Sequence, residues 1–171
     1  MLTKTDIEKY FLAEKQIGLI FFIIGIVAVV LAIVFYFVLR TGFYKGAAVP
    51  LLLIGLIQLI VGFAIFQRSD GDRKRNVYAY DMDPQQLKEK ELPRMQRVTK
   101  SFAIYKSVEV LLIVAALVLI LVCRNKPDKA FWVGLGITLL IQALLMLGAD
   151  YSAEKRAKDH TLKLEEFVKT A

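Results

Sequence analysis

The chain is poor in the residues that ordinarily carry chemistry. It holds one cysteine, one histidine, one tryptophan and four prolines in 171 residues. A lone cysteine excludes an intramolecular disulfide and any multi-cysteine metal site, so Cys123, at the end of an apolar run, reads as a small apolar filler. His160 has no second ligand at metal spacing and sits in a charged stretch, which predicts a solvated side chain. No nucleophile–histidine–acid set or phosphate loop can be assembled. Gly134-Leu-Gly136 lacks the third glycine and the preceding strand of a dinucleotide fingerprint. The expectation is a protein that is not an enzyme and needs neither cofactor nor metal.

Charge is also missing over long distances. Residues 17–39, 46–66, 102–123 and 130–150 include only Lys106, Glu109 and the terminal Asp150 as charged side chains. Each stretch reaches the roughly 20 residues that an α-helix needs to cross a hydrocarbon core about 30 Å thick. A backbone with no water to bond to must close its own hydrogen bonds, which predicts helices. The expected fold is therefore an all-α integral membrane protein, an antiparallel bundle of four transmembrane helices. Its parts are an interfacial helix start (1–16), a transmembrane hairpin (17–66), a loop with a short helix (67–101), a second hairpin (102–150) and a C-terminal helix (151–171). The first apolar stretch is too long for the apolar region of a signal peptide, and no small-residue cleavage site follows it before Arg40. None of the polar pieces is long enough to build a soluble domain of its own.

What charge there is sorts by side. Seventeen of the 23 Lys and Arg fall in the N-terminal segment, the central loop and the C-terminal segment, against five in the two short loops (Arg40, Lys45, Arg124, Lys126, Lys129). The positive-inside rule places both termini and the central loop in the cytoplasm, in a plasma or inner membrane. That sorting accounts for the net charge of +7 without nucleic acid. Tyr36, Phe37, Phe43 and Tyr44 cluster at the opposite end, as aromatic side chains do at a headgroup boundary.

Local signals add detail. Thr5-Asp-Ile-Glu8 matches a capping box and predicts a helix from about Asp6. Pro50 falls in the first turn or so of the second span, Ser69–Arg75 reads as a turn-rich stretch, and Asp83-Pro84 reads as an N-cap followed by proline at the first helical position. A short helix then runs to Leu92, where Pro93 ends or kinks it. Met95, Val98, Phe102 and Tyr105 keep a helical period, so the third long helix projects about two turns beyond the bilayer. Residues 152–168 read as a continuation of the fourth helix or as a surface helix on the central loop. Gly18 with Gly25, and Gly55 with Gly62, are spaced seven apart, as in packing seams.

The two halves also align without gaps at a shift of 84 positions. Over 17–66 against 101–150 there are 12 identities in 50, including Arg40 with Arg124, Lys45 with Lys129 and Leu56-Ile-Gln58 with Leu140-Ile-Gln142. Apolar segments match often by chance, so either a tandem duplication or coincidence explains them. A duplication implies a pseudo-two-fold axis along the membrane normal.

Counted from the basic end of each span, Gln58, Glu109, Gln142 and Gly25 fall at similar depth, seven or eight residues in. Two readings of this layer compete. In one, Gln58 and Gln142 bond across helices, Gly25 allows close approach, and Lys106 neutralises Glu109 from one turn away. In the other, the layer binds a proton or cation with Glu109 as its titrating group. The structural reading is preferred, because an ion site usually needs more oxygen ligands. The central loop adds Arg73, Lys74, Arg75, Tyr78, Tyr80 and Met82, a basic and aromatic set suited to a contact surface. The expected function is a small polytopic membrane protein that acts through protein contacts, as an accessory subunit or toxin-protective protein. Its expected partners are the lipid bilayer and a protein or a second copy of itself. The alternative is a small proton- or cation-coupled transporter or channel around Glu109.

Overall fold

The computed structural model describes residues 2–170, with side chains through Lys169; Met1 and Ala171 lie outside the described residues. Helix α1 spans Lys4–Val34 and ends in a π-helical turn, Phe35–Leu39; α2 spans Gly42–Met82. A single turn, α3 (Pro84–Gln86), leads through a π-helical turn, Leu87–Glu91, into α4 (Leu92–Cys123). A 3₁₀ turn, Pro127–Lys129, precedes α5 (Ala130–Thr170). The described residues contain no strand. Four helical runs are long and apolar enough to cross a membrane: Lys4–Leu39, Gly42–Met82, Pro84–Cys123 and Pro127–Lys169.

The termini of these elements have local causes. Thr3, not Thr5, caps α1: its hydroxyl accepts from the Asp6 N–H while the Asp6 carboxylate accepts from the Thr3 N–H, completing a capping box two residues earlier than the Thr5–Glu8 spacing suggested. Arg40 takes the left-handed conformation, φ 57°, and turns the chain, and Thr41 then caps α2. The first short loop is thus two residues rather than six, because a threonine cap lets α2 begin at Gly42. As a consequence Pro50 lies inside α2, not in its first turn. Asp83 precedes a proline and leaves the helical region at φ −148°, which breaks the chain between α2 and α3. Pro93 does not stop the helix. The wider π turn just before it, closed by the Leu92 N–H on the Leu87 carbonyl, absorbs the missing donor and the ring.

Ser69–Arg75 is helical throughout rather than turn-rich, so α2 runs well past the apolar stretch that ends at Phe66. Its polar side chains are used in place. Asn76 donates to the Asp72 carbonyl, Arg75 pairs with Asp72 at 2.7 Å, and Ser69 donates to the Ile65 carbonyl. All four helices extend in this way, and residues 67–101 form a helical hairpin rather than a loop.

The molecule consequently has two halves with opposite logic. In the polar half the large apolar side chains are inside: Leu2, Ile7, Phe11, Leu87, Met95 and Leu164 are buried together with Ala79 and Ala157. The four polar extensions, each too short to fold alone, share this one core. Cross-helix pairs surround it: Lys4 with Asp81, Lys15 with Asp70, Lys163 with Asp6 at 3.0 Å and Gln96 with Glu165 at 2.9 Å. In the apolar half the small residues are inside. Gly18, Gly25, Ala28 and Ala32 of α1 are buried, whereas Ile20, Ile23, Val30, Leu53, Ile60, Leu111 and Leu121 face out. An apolar belt of this extent, around a core of glycine and alanine, matches helix packing in a hydrocarbon solvent.

Helix α1 packs along α2, and α4 along α5; α2 and α5 join the two hairpins, while α1 and α4 barely touch. The central pair α2 and α5 runs in the same direction, with one flanking helix on each side. This is the arrangement a duplicated hairpin would adopt, although the second short loop, with its 3₁₀ turn, differs from the first.

Candidate functional site

The glutamines meet. Gln58 Nε2 donates to Gln142 Oε1 at 3.4 Å, between positions 84 apart, on the seam of the central pair. Both are buried, and Gln58 Oε1 has no partner among the described residues. Gly25 lies at this level, but against α2: a Cβ there would meet the backbone of Leu59 and Gly55. It belongs to the α1–α2 seam and adds no polar space.

Glu109 and Lys106 depart from the expected layer. Lys106 Nζ pairs with Glu154 at 2.6 Å rather than with Glu109, and Glu154 also holds Lys158 at 3.0 Å. The Glu109 side chain is 2% exposed, and neither carboxylate oxygen meets a donor among the described residues. Its charged neighbours are the carboxyl of Asp150 and, without a direct bond, the ammonium of Lys106. Asp150 lies eight positions beyond Gln142, about 12 Å along α5. Glu109 is therefore about two turns nearer the polar half than the glutamine pair. Counting from the apolar ends failed because the register of α4 on α5 decides depth, and both helices continue past those ends.

His160 is buried, 4% exposed, not solvated. Its ring stacks on Tyr10 at 4.2 Å and meets Phe11 edge-on. Burial holds its pKa down to about 4 against the pull of Glu91, so the imidazole is neutral. Beside it Arg94 grips Glu91 through two hydrogen bonds, at 2.9 and 2.6 Å, and lies over the Phe11 ring. Glu14 accepts from Arg68 at 3.0 Å, and its burial raises its pKa.

These side chains top a cleft of about 650 Å³ that receives residues from all four long helices. Arg68, Arg94, Arg97 and Arg156 line its polar end with Glu14, and Asp150 lines it lower down. The remaining wall is apolar and aromatic, including Phe21, Ile60, Phe102 and Tyr105. The space exists because α1 and α4 do not close on one another.

No protein-family model, curated protein or solved structure is similar to this chain by any of the three comparisons.

The six residues singled out on the central segment divide by helical angle. At 100° per residue Lys74, Arg75, Tyr78 and Met82 fall within one stripe of α2 and are exposed, Tyr78 by 63% and Met82 by 71%. Arg73 and Tyr80 fall on the other side. Arg73 reaches Asp70, and Tyr80 stacks on Phe167 and donates its hydroxyl to the Leu2 carbonyl at 3.4 Å. Sequence reading missed Asp150, Glu154, His160 and the arginines of the cleft. The signal for the last was available: Arg68, Arg97 and Arg156 all fall just outside the apolar stretches. Their convergence depends on the bundle order, which the sequence does not display.

Proposed function

We propose that this is an integral membrane protein that works by contact rather than by catalysis, with its polar half in the cytoplasm. The observation that carries this reading is the exposed stripe Lys74, Arg75, Tyr78 and Met82. The four polar extensions share a packed core and several cross-helix ion pairs, so the stripe stands on a rigid platform. Tyrosine, methionine and arginine are the side chains that protein interfaces favour, and Lys74 beside Tyr78 and Met82, with Arg75 held at the edge by Asp72, suits a partner surface of acidic and apolar character. The split of Lys and Arg and the apolar belt support the placement across a membrane. The test is recovery of a stoichiometric partner in mild detergent. Changing Tyr78 and Met82 together to serine should abolish recovery while leaving membrane insertion and thermal stability unchanged, because neither packs in the core; unchanged recovery would refute the stripe.

A second reading, proton coupling, is favoured by one observation: Lys106 bonds Glu154 and makes no direct ion pair with Glu109, which has a second carboxyl, that of Asp150, for a neighbour. Three His, Cys, Asp or Glu side chains do not converge anywhere among the described residues, so a proton suits this pair better than a metal ion.

A further inference from the structure

The geometry points to the cleft between α1 and α4 as a binding site for one anionic glycerophospholipid, its phosphate among the arginines and an acyl chain along the apolar wall. The inference goes beyond the contact stripe and rests only on placement across a membrane.

Three observations converge on this ligand. First, the cleft is chemically divided along its length. Arg68 lies two residues outside the apolar stretch ending at Phe66, Arg97 five residues before the one starting at Phe102, and Arg156 six residues after Asp150. Phe21 lies seven residues beyond Glu14 on α1, and Ile60 eight residues from its partner Arg68 on α2, so the apolar wall reaches about 10–12 Å deeper than that ion pair, from headgroup level to the depth of acyl chains. A soluble anion has no use for the lower wall, and a neutral apolar ligand has none for the upper one.

Second, part of the positive charge is free. Arg68 is paired with Glu14, and Arg94 with Glu91. Among the described residues Arg97 bonds only the Pro93 carbonyl of its own helix, at 3.4 Å, and Arg156 pairs with no carboxylate. Two unpaired guanidiniums facing one cavity suit an oxyanion, to which the planar guanidinium fork binds in bidentate fashion. Glu14 is already held by Arg68, and Asp150 faces Glu109 at the floor, so neither occupies these two.

Third, the cleft has a lateral way in. Because α1 and α4 barely touch, the gap between them opens toward the apolar belt, where bilayer lipids reside. A volume of about 650 Å³ takes a headgroup and the upper part of one chain, and the remainder passes out between the two helices.

The purified full-length chain in mild detergent should be titrated with dioleoyl phosphatidylglycerol, dioleoyl phosphatidylcholine or glycerol 3-phosphate, and binding read by native mass spectrometry. Phosphatidylglycerol should bind one to one and be retained roughly tenfold better than phosphatidylcholine. The double variant Arg97→Gln/Arg156→Gln should lose about tenfold or more of that retention. Ala64→Phe, a change at an exposed cleft-lining position, should block the acyl path with every charge in place. Both variants should keep the thermal midpoint of the lipid-free protein, which separates loss of binding from loss of fold. Equal retention of the two lipids, undiminished retention in either variant, or equally tight binding of glycerol 3-phosphate would each overturn the inference. The same holds if a co-purifying peptide, rather than lipid, fills the cleft. The assay does not depend on which side of a membrane the polar half faces, nor on the contact stripe.

Discussion

At the scale of single residues, His160 makes the clearest claim. An imidazole stacked inside the polar half is held neutral, with a pKa of about 4 against roughly 6.5 when the chain is unfolded. The unfolded chain therefore binds a proton that the folded chain refuses. The stabilisation is complete above pH 6.5 and drains away as pH falls toward 4, by up to roughly 3 kcal/mol. Glu14 works in the opposite direction, since burial raises its pKa, whereas Asp6 is held at about 2 by Thr3 and Lys163 and titrates below this window. Detergent-solubilised protein should melt at a lower temperature at pH 5 than at pH 7, and His160→Phe should flatten that difference while keeping the pH 7 midpoint. An unchanged slope in the variant would assign the effect to other groups. Glu109 makes a second claim. With no donor on either oxygen, its carboxylate loses the hydration it would have in water and gains nothing in return, a penalty of about 1–3 kcal/mol. Glu109→Gln supplies an N–H₂ donor toward Asp150 and should raise the melting temperature, with no flux of protons into liposomes for either form. Wild-type proton flux that disappears in Glu109→Gln would establish the coupling reading. Lys106→Met should be milder than a counter-charge role for Glu109 implies, because Lys158 still holds Glu154.

At the scale of elements, glycines set the helix spacing. A Cβ on Gly62 would strike the backbone of Phe22 and Gly18 across the α1–α2 seam, and one on Gly46 or Gly134 would strike the Phe131 or Phe43 carbonyl between α2 and α5. Gly71 has nothing around it. Alanine at Gly46, Gly62 or Gly134 should therefore destabilise by about 2 kcal/mol or more. Gly71→Ala, in an exposed helix interior, should stabilise by about 0.5–1 kcal/mol. Thermal melts of the four variants check both signs. The shift of 84 gives these seams a further meaning: Gly18, Gly25, Gly55 and Gly62 correspond to Phe102, Glu109, Leu139 and Met146. The second hairpin lacks those four glycines and uses a different one, Gly136, against Ala116 of α4. Helix identity and the heptad glycine seams were legible in the sequence, since 20-residue apolar runs leave a backbone few choices. What was not legible was how far each helix continues. Ser69–Arg75 carries two aspartates and a glycine, which local preference assigns to a turn. Packing of the polar half around Leu2, Phe11 and Leu164 overrides that preference, and such long-range support leaves no local mark. The meeting of Gln58 with Gln142 was readable from matched depth, whereas the pairing of Lys106 with Glu154 was hidden by the register of α4 on α5.

At the scale of the whole molecule, the proposed orientation puts the polar half and both termini on the side that retains positive charge. Reporter fusions after residue 171 and within 83–84 should read cytoplasmic, and fusions within 125–128 external. An external reading at the C-terminus would reverse the orientation. The same large-scale view bears on how the two halves communicate. Helices α2 and α5 run 41 residues each, about 60 Å, and touch at the buried Gln58–Gln142 pair partway along. They also meet on one side of that pair, at Gly46 with Phe131 and Gly134 with Phe43, and on the other, where Tyr80 stacks on Phe167. Two rods tied at both ends and between move as one beam, so a load taken up at Met82 reaches the opposite face as a tilt of the pair and not as a motion of α2 alone.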